Sequence, residues 1–328
     1  MIALQSYRKN YLQQANVHKY QAGFTLIELM ISLLLSSFLM FGLMQVYLSN
    51  TQTGVVLSSH SRAMESGRVM IDIMTREARM ADFRGCADID KVNNHLDITD
   101  QDYIDNYTTL LEAGIDGLDN TQNLLIGDTS VVSGTDVLIL RGSSDACSGS
   151  GRVFSASKTA ASFKVSSTCD LEISQVVMIT NCKSGELFSI TNAQAGGGAG
   201  LKTFVHNTGN KPGVLIKNAT KTFSQTYGAD STILVPYEKR YFLAEGVNGT
   251  SSLYVSDTGV VSEIVPNVTD LQFSYGEDTN NNGSVNVYRV AGAAGQDMDN
   301  VKNVRIEVTV SDGRHEELFD TVINLRNR

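Results

Sequence analysis

The chain begins with a polar stretch, continues with an apolar run, and then alternates between hydrophobic and polar positions. From Leu29 to Leu48 there are 20 consecutive residues without a formal charge. About 20 such residues suffice for a helix to cross the hydrocarbon core of a bilayer. A glutamate, Glu28, stands immediately before the run. Because a carboxylate in a membrane-length segment is costly, Glu28 is expected to have a function.

The helical pattern continues beyond the apolar run, and the sequence contains no proline between Phe24 and Arg84. In the second half of this stretch, apolar residues recur at helical spacing between charged ones. These apolar residues are Val69, Ile73, Ala78 and Met80. We expect one long helix over residues 24–84, in which the segment from about residue 27 to residue 48 lies in a membrane or filament core. Its second half should pack on a folded domain through the four apolar residues.

The remainder of the chain, residues 85–328, has the pattern of a β-rich domain. Residues 88–128 are polar and acidic, and we expect loop with short elements there. Beyond them, β-branched and aromatic runs such as TDVLILRG, QVVMITN, STILVPYEKRYFLAE and NVRIEVTV are separated by Gly, Asn, Asp and Ser. The predicted fold class is α+β, with the long helix packed on one or two antiparallel sheets.

The N-terminal 23 residues differ from a secretory signal peptide, in which an apolar core follows the basic residues and precedes a cleavage site. Here Arg8, Lys9 and Lys19 are followed by Gly23 and only then by the apolar run. A cut after Gly23 would remove a leader of residues 1–23 and keep the apolar segment. The basic leader predicts a cytoplasmic N-terminus and an exported C-terminal domain. The simpler alternative is a single-span anchor with an incidental Gly and Glu.

The residues GFTLIELM, from Gly23 to Met30, resemble the processing site of type IV prepilins and pseudopilins. The resemblance implies that prepilin peptidase cleaves between Gly23 and Phe24 and that Phe24 becomes N-methylated. It also makes Glu28 the acid at the fifth mature position. In a bundle of apolar helices that excludes water, the positive N-terminal amine of a neighbouring subunit could pair with Glu28. Glu28 is therefore interpreted as an assembly residue.

Four further blocks resemble PilW-type minor pilins: ESGRVMIDIMTREARMADFRGC (65–86), VVMITNCKSGELFSIT (176–191), VTDLQFSYGEDTNNNGSVNVYR (268–289) and LRNR (325–328). The resemblance implies a type IV pilin-like fold and a subunit that helps to start pilus assembly near the tip. The implied partners are other minor and major pilins, prepilin peptidase and the inner-membrane assembly machinery. The implied location is the inner membrane as a single-pass protein, and then the pilus and cell surface.

The chain contains four cysteines, and an even number in an exported domain suggests two disulfides with three possible connectivities. Cys169 and Cys182 flank a strand-like segment and could close a small loop. The pair Cys86–Cys147 would then follow by elimination and tie the end of the long helix to the sheet. Zinc is a weaker interpretation of these cysteines, because the sequence has no CxxC spacing and no adjacent His.

The segment DTNNNGSVNVYR, from Asp278 to Arg289, has the D-x-N-x-N-G order of a calcium-binding loop. Its candidate ligands are Asp278, Asn280, Asn282, Ser284 and Asn286. Position twelve is Arg289, where a calcium loop carries a bidentate glutamate, so Asp297, Asp299 or another distant acid would have to complete the site. The alternative is an Asn/Gly-rich turn, since these residues adopt the backbone angles that turns require.

The formal charge is −9, from 26 Lys and Arg against 35 Asp and Glu. The sequence has no basic cluster able to neutralise several phosphates, so we predict no nucleic-acid contact. The five histidines do not form HExxH and no GxSxG occurs, so we expect no enzyme and no required cofactor, with Ca²⁺ as an optional ligand. Two alternatives remain: a minor pseudopilin of a type II secretion system, and a membrane-tethered, calcium-dependent adhesive module.

Overall fold

The structure is a computed structural model that describes residues 23–147, 149, 153–194, 198–209 and 212–327. Residues 1–22 of the predicted leader lie outside this range. The chain divides into two compact units, residues 1–55 and 56–328. The helices of the described residues are α1 (Leu26–Met80) and α2 (Gln101–Asn106), with 3-10 turns at Ile89–Lys91 and Met298–Asn300.

The second unit is rich in β-structure. Its strands, among the described residues, are β1 (Val92–Asn94), β2 (Ile115–Leu118), β3 (Leu125–Ile126), β4 (Thr129–Ser130), β5 (Val137–Asp145), β6 (Val153–Ala156), β7 (Ser162–Ser166), β8 (Val176–Thr180), β9 (Gly185–Ser189), β10 (Asn192–Gln194), β11 (Leu201–Val205), β12 (Thr232–Glu245), β13 (Ser251–Asp257), β14 (Val260–Pro266), β15 (Val268–Glu277), β16 (Val287–Arg289), β17 (Val301–Ser311) and β18 (Glu316–Asn324).

The first unit contains the apolar half of α1, which has the length and composition to cross a membrane. Its side chains are exposed, from Leu26 through Val55. Hydroxyl groups in this half donate to backbone carbonyls of the helix itself, as Ser32 does to Glu28 at 2.8 Å and Ser37 to Leu34 at 2.7 Å. Such internal bonds allow these hydroxyls to lie in an apolar environment.

The second half of α1 buries one face within the β-rich unit. The buried residues of this face are Ser59, Ala63, Gly67, Met70, Met74 and Ala78, spaced three and four apart. Of the residues predicted for this face, Ala78 is confirmed, whereas Val69 and Met80 are 44% and 39% exposed. Small side chains occupy much of this face because the sheet comes close to the helix. A Cβ at Gly67 would lie 2.2 Å from the Phe319 ring.

The strands of the described residues form four sheets, one of eight strands, two of four and one of two. The largest has the order β1-β9-β8-β12-β13-β14, with β5 pairing β12 and β2 pairing β5. A second sheet has the order β16-β15-β17-β18, a third β10-β11-β7-β6, and β3 pairs with β4. The strand pairs are antiparallel except β1 with β9. The predicted α+β class, with a long N-terminal helix followed by an antiparallel β-rich domain, is confirmed.

The main hydrophobic core lies where the second half of α1 meets strands of the eight-stranded sheet and of the sheet that contains β15 and β17. Met70 and Met74 of the helix pack there with side chains of β12, β15 and β17. Fully burying one side chain of this size contributes about 1.5–3 kcal/mol. Because its members come from residues 63 to 325, this core joins distant parts of the second unit.

The disulfides are Cys86–Cys182 and Cys147–Cys169, so the predicted pairs Cys169–Cys182 and Cys86–Cys147 are wrong. The reason is strand β8, which lies between Cys169 and Cys182. The Asp170 N–H donates to the Ala146 carbonyl at 2.9 Å, which holds Cys169 beside Cys147, and the five extended residues of β8 then span roughly 16 Å before Cys182. Cys182, in the β8–β9 turn, bonds instead to Cys86, shortly after α1.

Candidate processing and assembly site

The predicted cleavage bond lies just before α1 begins. Gly23 and Phe24 are outside the helix, and Phe24 is 86% exposed. A Cβ at Gly23 would meet no atom within 4 Å, so nothing in the fold itself requires glycine at this position. Exposed, non-helical backbone is the kind of segment that a peptidase can bind.

Glu28 and Thr25 form a capping box at the start of α1. The Thr25 backbone N–H and its hydroxyl both donate to Glu28 Oε2 at 3.0 Å. In return, the Glu28 N–H donates to Thr25 Oγ1 at 3.4 Å. This exchange satisfies N–H groups that have no partner within the helix, and it places a carboxylate at the positive end of the helix dipole. The T-x-x-E spacing was visible in the sequence, but its capping role was missed.

Polar contacts at several points attach the second half of α1 to the strands and turns of the β-rich unit. Asp312, in the turn between β17 and β18, accepts a hydrogen bond from the Ser59 hydroxyl and pairs with Arg62 at 3.2 Å. These contacts, with Ser59 the stronger, lower the pKa of Asp312 to about 2. Nearer the end of the helix, Lys239 of β12 binds Glu77 at 2.8 Å. The second half of α1 is thus held to two different sheets.

The predicted calcium loop lies between β15 and β16, and its side-chain oxygens bind its own backbone. Asp278 accepts N–H groups from Asn282 at 3.1 Å and Gly283 at 2.7 Å. Asn282 accepts the Ser284 N–H at 2.9 Å, and Gly283 has a φ of 84°. Burial would raise the pKa of Asp278, but these N–H groups outweigh it and hold the pKa below its ordinary value.

Arg289 and Asp297, one at position twelve of the loop and one expected to complete the calcium site, have other partners. Arg289, at position twelve of the loop, pairs with Glu277 at 2.7 Å. The carboxylate of Asp297 accepts hydrogen bonds from the Asp299 N–H at 3.0 Å and the Asn300 side chain at 2.8 Å. Asp297 thereby caps the 3-10 turn before β17. The hydrogen bonds within the loop hold it in a turn. Among the contacts of the described residues, none brings a second carboxylate to the loop.

A buried polar cluster that the sequence did not predict surrounds Glu186 of β9. Its Oε1 accepts the Ser224 N–H at 2.7 Å and the Tyr227 hydroxyl at 2.9 Å, and Oε2 binds His95. Burial would raise the pKa of Glu186, but these hydrogen bonds hold it below its ordinary value. Glu186 is fully buried, whereas Ser224 is exposed, and the hydrogen bonds of the cluster join the strand to two loops.

Two family models match the chain. The model of the prokaryotic N-terminal methylation motif matches residues 18–44, and the model of type IV pilus-assembly protein W matches residues 240–326. The first match contains the cleavage bond, the capping box and most of the apolar run. The second extends from within β12 to the end of β18 and contains the loop between β15 and β16. No curated protein and no solved structure matches the chain.

Proposed function

We propose that this chain, a type IV pilin-like protein of the PilW type involved in pilus assembly, acts as a minor pilin that helps to start the filament and lies near its tip. One observation carries the proposal. The capping box, with Glu28 at its third helical position, directly joins an exposed, non-helical Gly23–Phe24 bond to an exposed apolar helix. This arrangement suits a segment that is cut, kept in the membrane and later packed among identical helices.

The proposed role of Glu28 in the filament is to pair with the N-terminal amine of a neighbouring subunit. An unpaired carboxylate is strongly disfavoured where apolar helices exclude water. The capping box supports this role because it fixes the carboxylate at the helix N-terminus in each subunit before assembly. A neighbour's amine at Phe24 would then neutralise the charge and set the axial register of the two helices.

The proposed location is the inner membrane, with the N-terminus in the cytoplasm and residues 85–328 in the periplasm, followed by the pilus at the cell surface. Arg8, Lys9 and Lys19 in the leader support this orientation. The two disulfides fit an oxidising compartment. Its proposed partners are prepilin peptidase, other minor and major pilins, and the membrane assembly machinery. The charge of −9 supports the absence of a nucleic-acid contact.

We infer that the chain is a structural subunit and not an enzyme. Pilus assembly is a structural task, and the family models that match the chain are those of a pilus-assembly protein and a methylation motif. The match to a pilus-assembly protein also favours the pilus over the secretion pseudopilus. The tethered adhesive module has less support, because a tether needs neither a cleavage site nor a capped Glu28.

A secondary proposal concerns the loop of Asp278, Asn280, Asn282, Ser284 and Asn286, which we propose as a turn that binds Ca²⁺ weakly. The N–H groups that Asp278 accepts support a calcium loop. Arg289 stands at position twelve in place of the bidentate glutamate and pairs with Glu277, so the loop lacks the second carboxylate that would raise its affinity. Extracellular calcium modules often bind in the range of about 10⁻⁴–10⁻³ M. Calcium titration of the wild type and of Asp278→Asn tests this, and equal affinities would reject it.

The proposed function is tested on Glu28 with three variants that separate charge from capping. Glu28→Gln retains a side chain able to complete a capping box but loses the charge, and Glu28→Ala loses both. Thr25→Ala removes both hydrogen bonds of the capping hydroxyl, leaves the backbone N–H bond to Glu28, and keeps the charge. We expect all three to be cleaved, and only the two Glu28 variants to lose at least tenfold in filament incorporation. Immunodetection in sheared filaments against the membrane fraction measures this, and normal incorporation of Glu28→Gln would refute the pairing.

The cleavage itself is tested by intact mass and N-terminal sequencing of the protein from sheared filaments. The expected product starts at a methylated Phe24. Gly23→Leu should remain uncleaved and confined to the membrane, although the fold has space for the side chain. A chain that starts at Met1 in the wild type, or full cleavage of Gly23→Leu, would contradict the assignment.

A further inference from the structure

Two histidines and a glutamate meet where α1 passes the turn between β17 and β18. His60 lies on α1, His315 in the turn, and Glu317 at the start of β18. Their side chains are 48%, 35% and 29% exposed, so the cluster is open to solvent on one side. His315 and Glu317 are two residues apart, and His60 is 255 residues away from His315. No sequence spacing connects the three.

The three nearest ligand atoms form an almost equilateral triangle. His60 Nδ1 lies 3.1 Å from His315 Nε2 and 2.9 Å from Glu317 Oε1. His315 Nε2 is likewise 2.9 Å from Glu317 Oε1. Atoms at these separations can all lie about 2.0–2.1 Å from a single ion, the bond length of Zn²⁺ to imidazole nitrogen and carboxylate oxygen. The edge of such a tetrahedron is roughly 3.3 Å, close to the three distances.

The donor set selects the class of ion. Neutral imidazoles suit Zn²⁺, Cu²⁺ and Ni²⁺, whereas Ca²⁺ prefers six to eight oxygen ligands. Two imidazoles and one carboxylate leave a fourth, solvent-facing position for water. We propose that His60, His315 and Glu317 form a divalent transition-metal site, with Zn²⁺ as its principal ion. This site is separate from the loop between β15 and β16, which has only oxygen donors.

The neighbouring contacts place the ligands before the ion binds. Asp312, three residues before His315, accepts a hydrogen bond from Ser59, which precedes His60. It also pairs with Arg62 and accepts the Arg314 N–H at 3.2 Å. The helix and the turn are therefore already joined on both sides of His60. An ion bound to His60 on one element and to His315 and Glu317 on the other adds a metal link between α1 and the β17–β18 hairpin.

The test is a zinc chloride titration of the full chain in detergent, prepared without a histidine tag and treated with chelator. Calorimetry should show one equivalent of Zn²⁺ per chain. His60→Ala and Glu317→Gln should each lower the affinity by more than tenfold, since even residues that only support metal ligands contribute about 10–100-fold. At zinc 100-fold above the dissociation constant, the Tm should rise by roughly 5–10 °C.

Asp312→Asn is the matched control, because it weakens the adjacent helix–turn contacts and keeps all three ligands. It should lower the Tm without zinc and bind Zn²⁺ with at most a severalfold loss. Calcium chloride should not displace the bound Zn²⁺. Circular dichroism of each variant without metal checks that it is folded. Absence of a stoichiometric zinc site in the wild type, or unchanged zinc affinity in folded His60→Ala and Glu317→Gln, would overturn the proposal.

Discussion

At the scale of single residues, His206 shows how the interior sets a side chain's charge. It is fully buried and stacks on Phe223, with ring centroids 4.2 Å apart and planes within 8°. Burial, and then the charge of nearby His95, lower the pKa of His206 to about 4. The sequence showed a histidine at this position but not its neighbours. Phe223 and His95 approach it only through the fold.

The low pKa of His206 predicts that acid destabilises the protein. The unfolded chain binds this proton near pH 6.5 and the folded protein only near pH 4, so stability is complete above about 6.5 and falls as the pH drops towards 4. Between pH 7 and 5 the free energy of unfolding should decrease by about 2 kcal/mol through this residue. Denaturant unfolding at several pH values measures the slope. His206→Phe should flatten it, and an equally steep slope in that variant would reject the assignment.

The residues of the two proposed sites differ in whether their partners lie close to them in the sequence. Thr25 and Glu28 are three apart on one helix, so their capping box could have been predicted from the sequence. The approach of His60 to His315 could not, because it requires a turn between two strands to reach the side of a helix. Helical spacing predicts neighbours on the same element only.

At the scale of elements, the long helix and most strands follow from the sequence pattern, whereas their contacts do not. The apolar pattern predicted that the second half of α1 packs on the sheet, but the buried face includes Gly67 and excludes Val69. Val69 was predicted to be buried because its side chain is hydrophobic. Gly67 is buried instead, because the close Phe319 ring leaves no space for a side chain at that position. The disulfide prediction failed for a similar reason, since proximity in sequence is no guide when an extended strand lies between two cysteines.

The disulfide pairing predicts both a peptide map and a loss of stability. Peptides from the non-reduced, digested protein should link Cys86 to Cys182 and Cys147 to Cys169. Replacing both Cys86 and Cys182 by Ser should lower the free energy of unfolding by roughly 4–5 kcal/mol, because that bond closes a loop of nearly 100 residues. The same change at Cys147 and Cys169, with a separation of 22, should cost about 3 kcal/mol. A peptide linking Cys169 to Cys182 would contradict this connectivity.

At the scale of the whole molecule, the chain has two units whose surfaces suit different surroundings. Residues 26–55 of α1 are exposed and are largely apolar as far as Leu48, and the buried residues of the helix begin at Ser59. The second unit contains the cores, the sheets and both disulfides. The first unit therefore depends on a membrane or a filament for its apolar surroundings. The second has the interior contacts that a soluble domain needs.

This division predicts that residues 56–328 fold without the apolar half of the helix. The fragment, exported so that its disulfides form, should be soluble without detergent and should unfold cooperatively. Its Tm should lie within about 2–4 °C of that of the full chain, since none of the described residues removed, 23–55, is buried, and a loss of 1 kcal/mol shifts the Tm by that amount. Thermal scans followed by circular dichroism measure both. A non-cooperative transition in the fragment would show that the first unit is needed for folding.

The sequence by itself determined the features that depend on local order: the GFTLIELM processing motif, the apolar run after Glu28, the helix, the strand segments and the turn at Asp278. Each is encoded by residues a few positions apart. Such short-range order decides what a peptidase can bind, whether a helix can cross a bilayer and which turn the backbone adopts. Only the tertiary structure decided which cysteines bond, which helical face is buried, how Glu186 is satisfied, and that His60 meets His315 and Glu317. These contacts join residues tens to hundreds of positions apart, and they form because the sheets and α1 must bury their apolar faces together.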